Sequence, residues 1–135
     1  MSLQLVEKAV PTDAAPVITD EEGAAMARAV VNLFRRWGIT DAEACVLLGG
    51  VSKRTYARWK DGEIGRLTID QKTRLSVLMG VHKSLRILFT EKARVYEWVK
   101  KPNRAFGGRS ALEIMLGGYL TDLFRVRHYL DAARG

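Results

Sequence analysis

WVKKPNRAFGGRSALEIMLGG, residues Trp98–Gly118, brings an aromatic anchor, a helix breaker, a glycine turn and a helix start into one short stretch. Pro102 has no amide hydrogen to continue a helical ladder, and it biases Lys101 away from helical angles. A short helix that begins after Thr90 therefore closes at Trp98 and its neighbours. Asn103 turns the chain, and Gly107-Gly108 reach backbone angles closed to other residues. Ser110 and Glu113 then form a capping box, in which hydroxyl and carboxylate each satisfy an orphan amide of a new helix. Gly117-Gly118 end that helix. The stretch reads as a joint between helices.

The same start signal recurs upstream. Thr19 and Glu22 precede Met26, Val30, Leu33 and Trp37 at helical spacing, with Val31 and Phe34 widening the stripe and Gly38 ending it. Thr40 and Glu43 open a short helix through Leu48, which Gly49-Gly50 terminate. Ser52 caps a third helix, KRTYARWKDG. Thr68 and Gln71 open a long one whose broad apolar face comprises Leu75, Leu78, Met79, His82, Leu85 and Leu88. Within it Gly80 weakens the helix by about 1 kcal/mol relative to Ala, unless it admits a close neighbour. The last helix places Tyr119, Leu123, Val126 and Leu130 along one seam, with Arg125, His128 and Arg134 elsewhere around it. The predicted helices span 20–37, 41–48, 53–61, 69–88, 91–100, 111–116 and 119–133, an all-α fold without substantial sheet.

At 135 residues and 47% hydrophobic content, the chain suits one compact domain or two small helical subdomains that share a core. Its formal charge of +7 is unevenly placed. Four Lys/Arg and seven Asp/Glu fall within residues 1–50, against eighteen and eight afterwards. The basic part faces nucleic acid, an acidic protein or a membrane surface, or is simply a solvated basic surface. The lone Cys45 lies in a helical apolar pattern and reads as core packing, in keeping with a reducing cytoplasm. No apolar run approaches the roughly 20 residues that cross a bilayer, and no secretory leader pattern is visible, so the expected location is cytoplasmic. Residues 1–18, with Pro11 and Pro16, show no sustained periodicity and read as a tail.

A capped short helix, a glycine turn and a second short helix with basic residues form a helix-turn-helix-like arrangement. The apolar face of the second helix is Val51, Tyr56 and Trp59. Its other face offers Lys53, Arg54, Arg58 and Lys60 to phosphates and base edges, with Ser52 and Thr55 as shorter hydrogen-bonding partners. The turn is one residue longer than usual, and Asp61 and Glu63 add negative charge beside these cations. A basic fragment used only for packing is the competing reading.

The joint resembles the C-terminal toxin-binding domain of the Xre/MbcA/ParS-like antitoxins. The matching elements are Trp98, Pro102-Asn103, Phe106, Gly108, Ser110-Ala111-Leu112-Glu113 and Gly118. The likeness continues upstream through the helix-turn-helix-like region and covers nearly everything after residue 20. Where the family often has Pro at the second position of the helix start, this chain has Ala111, which leaves the start helical. Beyond the tail over 1–18, the resemblance implies an Xre-like region over 19–67 and a toxin-binding helical domain over 68–135. It further implies an antitoxin that sequesters a RES-domain toxin, of a kind that consumes NAD or transfers ADP-ribose from it, and that represses its own operon. The C-terminal part is thereby designated for neutralisation. There Phe106, Arg109 and the helix after Ser110 form a lid-sized surface. Asp131, Arg134 and the terminal carboxylate of Gly135 offer groups that could enter a toxin's substrate site, or else form only a frayed end.

Nothing in the chain supports catalysis, since a nucleophile needs a base beside it and a metal needs clustered ligands. His82 and His128 stand apart, and His82 reads as a satisfied core or interface residue. No cofactor and no metal site are expected, and the glycine pairs lack the spacing of phosphate-binding loops. Two binding readings remain. One is the antitoxin, with operator DNA and toxin as partners, acting as a homodimer or a toxin-bridged hetero-oligomer. The other is a phage-repressor-like transcription regulator whose C-terminal helices only dimerise.

Overall fold

In a computed structural model, residues 17–135 of the chain are described. The expectation for the tail therefore lies, apart from Val17 and Ile18, outside the described residues. Helices α1 (Asp20–Trp37), α2 (Asp41–Leu47), α3 (Lys53–Lys60), α4 (Ile69–Leu88), α5 (Lys92–Glu97), α6 (Ala111–Met115) and α7 (Leu120–Arg134) follow in order. Two 3₁₀ turns, Trp98–Lys100 and Arg104–Phe106, lie between α5 and α6. Among the described residues the only extended pairing is an isolated antiparallel bridge between Pro102 and Ser110. The fold is all-α, with the helix-turn-helix region ahead of the C-terminal helices.

All four capping boxes read from the sequence are formed, at Thr19/Glu22, Thr40/Glu43, Thr68/Gln71 and Ser110/Glu113. Each satisfies two orphan amides through contacts within four residues, so the helix starts are specified by local sequence. The cap lowers the Glu113 carboxyl below its usual range, chiefly through the backbone hydrogen bond from Ser110. At the far end of α1, Gly38 takes a left-handed conformation (φ 65°) and donates its amide back to Arg35 and Phe34. Lys100 then donates to the Gly38 carbonyl at 2.8 Å, tying the end of α1 to the joint.

Helix α4 is the shared wall. It packs most extensively on α7 and next on α1. Its buried arc differs from the expected face: Met79, His82 and Leu88 are only half-buried, whereas Arg74, Val77, Val81 and Ser84 are buried beside Leu75, Leu78 and Leu85. A helix enclosed from two sides needs a wider arc than one apolar stripe supplies. Gly80 lies beneath the Arg127 guanidinium, and a Cβ there would overlap it. The close neighbour is thus a side chain of α7 rather than its backbone.

The joint forms as read, with two differences, and a third lies just after it. The expected 91–100 helix divides into α5 and a 3₁₀ turn, after which Lys101 is extended ahead of Pro102. Trp98 is half-buried, and the fully buried anchor is its neighbour Val99. The indole stacks on Tyr129 (centroids 6.2 Å) and meets Phe106 edge-on (6.4 Å), so it braces the joint against α7 from one side. Tyr119 leaves the α7 seam, being 73% exposed, because it precedes the helix and donates its amide to Asp122 at 3.1 Å. Leu123, Val126 and Leu130 keep the seam.

Leu85→Ala, at a fully buried position beside Ser84 on α4, is expected to lower unfolding stability by about 2–5 kcal/mol. Trp98→Ala should cost less than the roughly 3–5 kcal/mol typical of a buried ring. Urea melts of the two variants check that order.

Candidate functional site

Two polar surfaces carry the residues singled out by sequence. On α3, Tyr56 and Trp59 bury against α1, with Phe34 and Tyr56 rings 6.5 Å apart, which turns the opposite side outward. Lys53, Arg54 and Arg58 are exposed there, and none has an ion-pair partner among the described residues. Ala57 is exposed between Arg54 and Arg58, so little bulk separates the two guanidinium groups from an incoming surface. Ser52 accepts the Thr55 amide at 3.1 Å and donates to the Thr55 hydroxyl at 3.0 Å. This pair is occupied with capping. Lys60 is held by Asp41 at 2.7 Å and lies 5.6 Å above the Tyr56 ring, so its charge is already compensated. Of the six residues expected to face DNA, three stand uncommitted.

The turn before α3 is held from behind. Gly49 and Gly50 both have positive φ (85° and 89°). A Cβ on Gly49 would press on Arg74 and Asp70. Arg74 is 7% exposed, pairs with Asp70 at 2.8 Å and donates to the Leu47 carbonyl at 3.3 Å, capping α2 from α4. At the other end of α3, Arg28 donates to the Gly62 carbonyl and Arg35 to the Lys60 carbonyl, each at 3.3 Å. Cations at a helix C-terminus oppose its negative dipole end. These three arginines position α3. Their spacing along α1 and α4 gave no sign of it, since only the folded arrangement brings them to those carbonyls.

On the C-terminal surface, Phe106 is only 3% exposed and lies 5.1 Å from the Tyr129 ring, so it supports the surface from beneath. Arg125 covers the Phe106 ring at 5.5 Å, and Arg109 is exposed with no ion-pair partner among the described residues. Asp131 and Arg134 are not a loose end. Asp131 accepts from the fully buried Ser84 hydroxyl at 3.1 Å, and Arg134 donates to the same hydroxyl at 3.2 Å. Arg127 and Arg134 flank the carboxylate at 3.7 and 3.8 Å. Ser84, unremarked within an apolar arc, is the residue that sequence reasoning missed. Gly135 is exposed with φ 82°.

The histidine expectation is corrected in part. His82 stacks on Tyr96 with centroids 5.6 Å apart, but its Nδ1 is buried without a hydrogen-bond partner. Burial, and then the nearby Arg86 and Arg36, hold its pKa below the usual value, so the ring is neutral at pH 7. An unsatisfied neutral nitrogen costs far less than a buried cation. His128 is exposed beside Phe124. Cys45 is 8% exposed, and burial raises its thiol pKa, which agrees with core packing. No helix among the described residues is long and apolar enough to cross a membrane.

Two family models match successive parts of the chain. Residues 16–80 match the antitoxin Xre-like helix-turn-helix domain, and residues 84–135 match the antitoxin Xre/MbcA/ParS C-terminal toxin-binding domain. The uncharacterized protein y4oB of Sinorhizobium fredii is 43% identical over 100 residues, covering 74% of this chain and 77% of that protein. In the crystal structure of the M. tuberculosis MbcT–MbcA toxin–antitoxin complex, one chain shares the fold at TM-score 0.54 and 24% identity. That likeness spans 81% of this chain and 93% of the other. With a helix-turn-helix match ahead of a toxin-binding match over nearly all its described length, the chain belongs to the Xre/MbcA/ParS antitoxin family.

Proposed function

We propose that this antitoxin neutralises a RES-domain toxin, one that consumes NAD or transfers ADP-ribose from it, by closing the toxin's active site with its C-terminal surface. The observation that carries this reading is the clamp at Ser84, which fixes Asp131 and Arg134 at the end of α7 while both side chains stay partly exposed (43% and 32%). A pocket for an anionic dinucleotide needs cations for the pyrophosphate. Although Asp131 is flanked by Arg127 and Arg134 at 3.7 and 3.8 Å, these pairs are longer than the 2.7 Å pair of Lys60. Asp131 still offers such cations the exposed part of its carboxylate, while Arg134 offers a guanidinium to acidic groups nearby. Because Ser84 orders the pair beforehand, little rotamer freedom is lost on docking. Arg109 with the exposed Gly107-Gly108 turn and Glu113, above buried Phe106, forms the adjoining lid surface, whereas Ala111, Leu112, Ile114 and Met115 of α6 face the core and not a partner as the sequence had suggested. The match of residues 84–135 to a toxin-binding domain supports this reading over a repressor whose C-terminal helices serve only dimerisation.

Repression of the antitoxin's own operon is the second part of the proposal. The exposed Lys53, Arg54 and Arg58 supply phosphate and base-edge contacts, and the Ser52–Thr55 cap sets the start of the helix that carries them. One short recognition helix covers too little surface for a selective site. A homodimer, or an assembly bridged by toxin, therefore presents two.

Truncation after Leu130, assayed with purified toxin for NAD consumption, is expected to leave complex formation intact and restore toxin activity. Full inhibition by the truncated chain would assign neutralisation to the wider surface around Arg109. For DNA, the triple Gln variant of Lys53, Arg54 and Arg58 should weaken operator binding. Each lost phosphate contact should also reduce the slope of log K against log salt by about 0.9. Toxin binding should persist in this variant, and an unchanged salt slope would remove α3 as the DNA-facing element.

A further inference from the structure

Where α1, α4 and α5 meet, a cleft of about 530 Å³ opens to solvent. Its walls carry Arg36 from α1, Arg86 from α4 and Lys92 from α5; Thr90 and Tyr96 add hydroxyls and Phe89 an apolar floor. No Asp or Glu lines it, and none of the three cations has an ion-pair partner among the described residues. Elsewhere on the molecule, Lys60, Lys72, Arg74 and Arg127 each have a carboxylate within reach. Like charges brought together from three elements raise the local potential, and an anion between them relieves it.

We propose that this cleft binds a small polyphosphate anion, a di- or triphosphate group held between Arg36, Arg86 and Lys92. Guanidinium groups grip phosphate oxygens in a fork, and the lysine adds a movable point charge. The volume exceeds what one orthophosphate fills, and its concave shape suits a small ligand better than a duplex. Arg36 already lies 5.0 Å over the Tyr96 ring, which also stacks with His82, so the ligand is recognised through its phosphates rather than by stacking of a base. Burial chiefly, and then the charges of Arg86 and Arg36, lower the His82 pKa, in keeping with the position of its ring against Tyr96 at the edge of the cleft. Arg36 falls in the helix-turn-helix match, whereas Arg86 and Lys92 fall in the toxin-binding match. A bound anion would therefore join the two halves, whichever toxin the chain neutralises.

Calorimetric titration of the full chain with inorganic tripolyphosphate at constant ionic strength tests the site. Saturable binding at one ligand per chain is expected, at least about tenfold tighter than for orthophosphate, with Arg36→Gln and Arg86→Gln each weakening it about tenfold. Lys92→Gln, at an exposed position outside the Tyr96 stack, repeats the test if Arg36→Gln perturbs folding. Lys53→Gln should leave the affinity unchanged. An NMR titration of His82 should show its pKa rising when the site is filled, because an anion offsets the charge of Arg36 and Arg86. Non-saturating heats, equal affinity in the three cleft variants, or displacement of tripolyphosphate from this cleft by a duplex oligonucleotide would overturn the proposal.

Discussion

Helix α4 has to be buried toward α1 and α7 at once, and the rest of the molecule follows from that demand. Leu75, Leu78, Val81 and Leu85 are each 0% exposed along it. Burial on two sides leaves little room for polar groups, yet α4 carries two, Arg74 toward its start and Ser84 toward its end. Leaving such a group unpaired costs about 1–3 kcal/mol, more for a charge, so each dictates a partner. Arg74 takes Asp70 and the Leu47 carbonyl, and so fixes the turn that precedes α3. Ser84 takes Asp131 and Arg134, and so fixes the end of α7. One helix thereby sets the position of both surfaces. The two family matches also meet within it, between residues 80 and 84.

What could be read from the sequence was local. A capping box is complete within four residues, so Thr19, Thr40, Thr68 and Ser110 announce their helices whatever packs against them. The glycine turns and Pro102 are equally self-contained. For this reason the order and approximate ends of the helices were legible, and so was the family, which rests on the order of such signals around the joint.

Tertiary effects were not legible to the same degree. Val99 and Trp98 are both apolar neighbours in the joint, and only the position of α7 decides that Val99 is engulfed while the indole lies across Tyr129. Phe106 was expected in the lid surface that the resemblance designates, yet Tyr129 and Arg125 enclose its ring. Periodicity placed His82 within the apolar face, whereas it is half-buried at the edge of the buried arc, and periodicity carried no information about a hydrogen-bond partner for Nδ1. Lys60 looked equivalent to Lys53 on a helical wheel. Asp41, nineteen positions away, distinguishes them.

The central claim is that neutralisation resides on the α6–α7 surface while α3 stays free to act separately. Hydrogen–deuterium exchange of the full chain, alone and bound to its cognate toxin, addresses it most directly. The account predicts added protection within residues 104–116 and 120–134, with exchange across Lys53–Lys60 unchanged. Protection concentrated on Lys53–Lys60, with α7 exchanging as in the free chain, would contradict it.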